Sequence, residues 1–194
     1  MKNIARRLKP FATLASVMLT AAPARARAPP PDLQQVNAVA AGFYAAYSTF
    51  HPSDGIPDAK GLAKYRPYIS PPLDRLLLDG EAAERRFSSA TKNMSPPLIE
   101  GDLFTSNFEG ATSYRIGPCN SDADTAHCAV TLGYRGGSNT AKPLDWTDTI
   151  WLVRTMAGWK VDDIAYGGNA AFGNRGRLKE TLQNVIREGN DAAR

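Results

Sequence analysis

Residues 150–166 read IWLVRTMAGWKVDDIAY, and this stretch decides the fold class. The run from Ile150 to Val153 is apolar without interruption, which is typical of a strand covered on both faces. The Ala157-Gly158 step then separates two strand-like runs, as a tight hairpin turn does. The stretch therefore predicts two neighbouring antiparallel strands.

The second of these strands carries two adjacent acidic residues, Asp162 and Asp163. The apolar residues change face between Val161 and Ile164, which indicates a bulge at the Asp-Asp step or a sheet covered on both sides. In one interpretation Asp162 pairs with Lys160 or Arg154 on the exposed face, and backbone N–H groups or a tyrosine hold Asp163. In the other, Asp163 is a catalytic acid or base. A shared metal ion is not expected, because adjacent strand residues point to opposite faces.

Helical patterns precede and follow the strands. Over 33–51 apolar residues recur at spacings of three and four, which predicts a helix with one face in the core. A second helix is predicted from Ser70, a residue type that caps helices, to about residue 91. After the glycine-rich loop GGNAAFGNRG, the amphipathic run RLKETLQNVIREG predicts a C-terminal helix. That loop matches no phosphate-binding fingerprint.

The remaining chain supplies four strand-like runs, TSYRIG, HCAVTLGYR, WTDTIWLVRTM and WKVDDIAY. We predict a single α+β domain over residues 32–190, followed by a short tail at 191–194. Its core is a strongly curved four-stranded antiparallel sheet, wrapped around the N-terminal helices and followed by the C-terminal helix.

The N-terminus has the pattern of a secretory signal peptide. Basic residues precede the apolar stretch 11–22, and small residues offer cleavage after Ala26 or Ala28, which predicts a signal over 1–26 and a linker over 27–31. The chain has 23 basic and 19 acidic residues, and five of the basic ones lie in 1–26, so the mature net charge is −1. A nucleic-acid-binding function loses its basis, and we expect a periplasmic or secreted bacterial protein.

Cys119 and Cys128 are the only cysteines. They flank a polar, turn-rich segment between two strand-like runs, so a disulfide across one hairpin is expected in an oxidising compartment. Two cysteines with only two histidines in the chain make a closed zinc site the weaker interpretation.

Three features of the chain together resemble the bacterial domain-of-unknown-function 3828 family. They are FYAAY at 43–47, the helix start Ser70-Pro-Pro-Leu, and the hairpin end WKVDDIAY followed by a leucine-bearing helix. Members of that family are envelope proteins and are similar to the nuclear transport factor 2-like superfamily. The resemblance implies a bent antiparallel sheet closed around helices as a cone, often with a pocket. It implies no catalytic residues.

A hollow cone predicts a ligand site made of large aromatic side chains with a few acidic anchors. The alternative for the aromatic residues is ordinary core packing. Glu100 is a further candidate for the mouth of the cone, and Asp163 and Asp102 are the weak catalytic candidates. The predicted ligand-binding residues are Tyr44, Tyr47, Asp102, Trp151, Trp159 and Asp163.

Three functions are compatible with these patterns. The first is a non-enzymatic periplasmic protein that binds a small apolar or amphipathic ligand, or an envelope partner, through the cone. The second is an interaction module of the envelope, immunity-like or accessory to assembly. The third is a hydrolase or isomerase that uses a pocket carboxylate. We expect no cofactor, metal, nucleic acid or transmembrane segment.

Overall fold

The computed structural model describes residues 31–49, 55–136 and 143–194. The predicted signal segment and all of the linker except Pro31 lie outside these ranges. The elements, in chain order, are α1 (Pro31–Thr49), α2 (Ala59–Leu62), α3 (Pro71–Ala90), β1 (Ser113–Ser121), β2 (Thr125–Tyr134), β3 (Leu144–Thr155), β4 (Gly158–Ala165) and α4 (Leu178–Ala192). The α+β class, the four antiparallel strands and the flanking helices are confirmed. The four-residue helix α2 was not predicted.

The strands form one sheet in the order β1-β2-β3-β4, each antiparallel to its neighbour. Between β3 and β4, Trp151 pairs with Asp163 whereas Leu152 pairs with Val161, so Asp162 is the extra residue of a bulge. The hairpin turn lies one residue earlier than predicted. Thr155 pairs with Gly158, whose φ of +91° suits glycine, and the two residues between them make the turn.

The inner face of the sheet packs on α1. This face presents Val130, Ile150, Leu152 and Val161, each at most 1% exposed. α1 contributes its predicted apolar stripe, with Val36, Ala40, Phe43, Tyr44 and Tyr47 buried to the same degree. Burial of one such side chain stabilises the fold by about 1.5–3 kcal/mol, so this layer is a large part of the core.

The two aspartates of β4 fasten helices to the sheet. Asp162 accepts a hydrogen bond of 2.5 Å from Ser70, the residue that caps α3. Its ion pair is with Lys179 and not with Lys160 or Arg154, the predicted partners, which bind elsewhere.

Asp163 accepts from the backbone N–H of Lys179 at 3.1 Å and from Arg177 Nε at 2.6 Å. The side chain of Arg177, the N-cap residue of α4, accepts no hydrogen bond from the first turn of the helix. Asp163, on β4, supplies the missing acceptor for the Lys179 N–H.

We expect Asp163→Ala to lower the free energy of unfolding by about 2–4 kcal/mol, because it orphans the Lys179 N–H and the Arg177 guanidinium together. Asp162→Ala is the matched neighbour. It is expected to cost only about 1 kcal/mol, because the Ser70 hydroxyl still caps α3. Urea unfolding of both variants measures the difference. A larger loss for Asp162→Ala than for Asp163→Ala would contradict this assignment.

The predicted disulfide is present between Cys119 and Cys128, which are directly opposed in the β1–β2 register. Cys128 is fully buried beneath α1, whereas Cys119 is partly exposed. The described residues contain no helix of sufficient length and hydropathy to cross a bilayer.

Candidate functional site

The segment between α3 and β1 packs against both α1 and the sheet. We call residues 99–111 the inner loop. All seven residues from Gly101 to Asn107 are buried. Phe104 makes an edge contact with Phe43 of α1 at 5.4 Å between ring centroids and lies 4.8 Å from the ring of Tyr65. Side chains of the chain itself therefore pack where a ligand was expected.

Asp102 is the polar centre of the inner loop and is 1% exposed. Its carboxylate accepts a hydrogen bond of 2.8 Å from the Tyr47 hydroxyl and one of 2.8 Å from the Phe104 N–H. The same Tyr47 hydroxyl accepts from the Ala111 N–H at 2.7 Å. Tyr47 thus ties both ends of the inner loop to α1.

Burial makes the charged form of Asp102 costly. It raises the pKa of this carboxyl from 3.8 to about 7, and the hydrogen bonds from Tyr47 and the loop backbone oppose that rise. Burial also raises the pKa of the Tyr47 phenol, and the Asp102 charge raises it further. The raised pKa values mean that Asp102 changes charge near neutral pH, whereas Tyr47 keeps its proton.

Tyr44 lies beside this pair on α1 and is fully buried. Its pKa is raised by burial, and then by the charges of Asp148 and Asp102. Its hydroxyl has no hydrogen-bond partner among the described residues. An unsatisfied buried hydroxyl costs about 1–3 kcal/mol, so Tyr44 is a weak point of this interior.

Asp148 of β3 is a second buried carboxylate, with 0% exposure. It accepts from the Ser106 N–H at 2.9 Å, the Gly167 N–H at 2.8 Å and Trp146 Nε1 at 3.1 Å, and also from the Ser106 hydroxyl. Four donors therefore converge on it from three parts of the chain, which joins the inner loop to the end of the sheet.

A second loop is fastened to the inner loop from outside. We call residues 167–176 the glycine-rich loop. The Asn174 amide donates to the carbonyls of Asp102 at 2.6 Å and Thr105 at 2.8 Å, and Arg175 donates to the carbonyls of Gly168 and Ala170. A Cβ at Gly173 would overlap the Ser106 carbonyl, so glycine is required for this close approach.

Phe172, on the glycine-rich loop, has an unusual backbone conformation and an exposed side chain. Its φ is +61°, a left-handed conformation that is unusual for a bulky residue, and its side chain is 93% exposed. With Glu100, Phe108, Glu109 and Ala171 it lines a surface groove of about 490 Å³. We call this the aromatic groove. By contrast, the void beside Trp146 and Ser106 measures about 10 Å³, the space of one water molecule at most.

The structure brings together only part of the predicted ligand site. Tyr44, Tyr47 and Asp102 meet in the interior, all at most 1% exposed. Trp159 lies on the inner face of the sheet, with the Arg154 guanidinium 4.4 Å from the centre of its ring.

Trp151 and Asp163 lie on the opposite face. Trp151 packs between His127, at 4.8 Å, and Arg177, at 5.0 Å, and Asp163 holds the start of α4. The six residues therefore do not line one pocket. The uninterrupted apolar run 150–153 obscured the face of Trp151, although the alternation that ends at Ile150 places Trp151 on the opposite side of the sheet.

Sequence reasoning missed Asp148 and the aromatic groove. The signal for Asp148 was present, since Trp146, Asp148 and Ile150 alternate with polar residues and therefore share the buried face. Glu100 was considered for the mouth of a pocket and does line the groove. Phe172 gave no signal, because one aromatic residue in a glycine-rich loop has no periodicity.

Comparison with known proteins adds no relative: the chain matches no protein-family model and has no significant match among curated proteins. The resemblance to the domain-of-unknown-function 3828 family accordingly stays a prediction.

Proposed function

We propose that the protein is an exported, non-enzymatic binding protein that docks an envelope protein at the aromatic groove. The signal-like N-terminus and the Cys119–Cys128 disulfide support an extracytoplasmic location. A nuclear transport factor 2-like cone, as the family resemblance implies, is part of this proposal. The interior of that cone is occupied by the inner loop, so the binding surface lies outside it.

Phe172 is the observation that carries the proposal. Its backbone conformation costs about 1–2 kcal/mol, and its exposed ring forgoes the stabilisation of burial. Nothing in the core repays these costs, because the ring is 93% exposed. The hydrogen bonds of Asn174 and Arg175 hold the loop backbone in this state, so the position from which the ring projects is set by the fold. A preorganised exposed aromatic residue is typical of a binding anchor.

The small-ligand version of the function receives less support. A ligand beside Tyr44 and Tyr47 would have to displace Phe104 and the inner loop, and with them the hydrogen bonds at Asp102 and Asp148. An enzymatic role for Asp102 or Asp163 has a similar difficulty, since protein donors already engage both carboxylates.

Site-specific photocrosslinking in cells that naturally produce the protein tests the proposal. A photoreactive phenylalanine analogue at position 171 is expected to yield one discrete adduct, and the same analogue at exposed position 183 of α4 is expected to yield none. Phe172→Asn is expected to abolish the adduct, because burial of a large aromatic ring carries much of the affinity of such interfaces.

The stability of Phe172→Asn separates loss of binding from loss of fold. Asparagine adopts the left-handed conformation at lower cost, so the free energy of unfolding is expected to stay the same or rise by up to about 1 kcal/mol. Chemical unfolding measures this. An adduct that survives Phe172→Asn, or that forms equally at position 183, would remove the proposed function.

A further inference from the structure

The lining of the aromatic groove combines two aromatic rings with two carboxylates. Phe108 and Phe172 supply the rings, and Glu100 and Glu109 supply the acidic groups. The N–H of Asp102 donates to the Phe108 carbonyl at 2.9 Å, so residues 100–102 run beside 108–110 and hold both glutamates on one rim. The positions of these groups are thus set by the buried part of the inner loop.

Both glutamates are exposed, and neither forms an ion pair within the described ranges 31–49, 55–136 and 143–194. In the part of the chain that the structure describes, no basic residue lines the groove. Arg175, on the adjacent loop, donates its guanidinium N–H groups to the carbonyls of Gly168 and Ala170. The carboxylates of Glu100 and Glu109 are therefore available to pair with a cationic group of a partner.

We propose that the aromatic groove binds an extended protein segment that carries an arginine next to a large apolar residue; this inference rests on the proposed function. A guanidinium can stack on an aromatic face while its edge donates two hydrogen bonds to a carboxylate. Lysine offers only a compact, strongly hydrated charge and uses the rings less well. The neighbouring apolar residue covers the Phe172 ring.

A displayed library of random dodecapeptides, selected on the mature chain, tests this chemistry. Peptides that also bind the Phe172→Asn variant are discarded, so the remaining sequences depend on the groove. Arginine is expected to be enriched about threefold over the unselected library, and more strongly than lysine, as one favourable ion pair predicts. Selection on the Glu100→Gln, Glu109→Gln double variant is expected to lose this enrichment.

A selected peptide then gives the affinity. Replacing its arginine by glutamine is expected to weaken binding about tenfold, because a charge-assisted bidentate contact is lost. Binding of the parent peptide is expected to weaken with added salt, and binding of the glutamine peptide much less.

The outcomes distinguish the two proposals. Peptides that depend on Phe172 but show no arginine excess, or the same excess on the double glutamine variant, overturn the inference and leave the proposed function standing. A selection in which no peptide distinguishes the parent from Phe172→Asn overturns both.

Discussion

Asp148→Asn is expected to lower the free energy of unfolding by about 3–5 kcal/mol. Each carboxylate oxygen of Asp148 accepts two of its four hydrogen bonds: Ser106 N–H and Trp146 Nε1 on one oxygen, the Ser106 hydroxyl and Gly167 N–H on the other. An amide is nearly the same size, but its NH₂ group faces two N–H donors in one orientation. In the other orientation it faces the Gly167 N–H and the Ser106 hydroxyl, which can rotate to accept, so at least one buried N–H loses its acceptor in either case. Buried donors without acceptors carry the cost.

Asp145→Asn is the matched control, since Asp145 lies on the same strand but is exposed, and among the described residues its ion pair is with Arg135 at 2.9 Å. The free energy of unfolding of Asp145→Asn is expected to fall by less than about 1 kcal/mol. Urea unfolding with the disulfide intact measures both variants. Equal losses for the two variants would show that the four donors at Asp148 do not hold the inner loop.

The second large effect is a dependence of stability on pH that runs opposite to ordinary acid unfolding. Asp102 has a pKa of 3.8 when exposed in the unfolded chain and about 7 when buried in the native state. Between these values the native state binds more protons, so the contribution of Asp102 is full below pH 4, declines as the pH rises and is lost above pH 7. The change amounts to about 4 kcal/mol at most.

The contribution of Asp102 is isolated by subtracting the free energy of unfolding of Asp102→Asn from that of the parent at each pH. The contributions of the other carboxylates cancel in this difference. The contribution of Asp102 remains, because the variant has no titratable group at position 102. We expect the difference to fall between pH 4 and pH 7 and to be constant above. A difference that rises with pH would mean that the native site stabilises the charged carboxylate.

The sheet was predictable because its evidence is local. The apolar run 150–153 and the Ala157-Gly158 step indicate two neighbouring strands. The change of apolar face after Val161 was one of the patterns that a bulge produces, and the structure places the bulge at Asp162. The disulfide was predictable for the same reason, since its two cysteines flank one turn. That the two aspartates do not share one ligand also follows from a local rule, because adjacent strand residues point to opposite faces. Their partners Arg177 and Lys179 do not follow from it, because both lie at the start of α4.

The interior was not predictable from local pattern. The apolar residues Leu103 and Phe104 favour partial burial of the inner loop. The groups that hold it in place lie far away in the chain, because the Ala111 N–H donates to Tyr47 and the Ser106 N–H donates to Asp148. The aromatic groove is equally non-local, since Phe108 and Phe172 come from separate loops that only the folded chain brings together.

Amide hydrogen exchange of the inner loop tests most directly whether the interior is closed and binding is confined to the outer surface. The N–H groups of Phe104, Ser106 and Ala111 each donate to a buried side chain, so we expect them to exchange as slowly as the central amides of β3. Exchange of these three amides within minutes, with β3 still protected, would show that the loop opens and would return the interior beside Tyr44 and Tyr47 to consideration as the binding site.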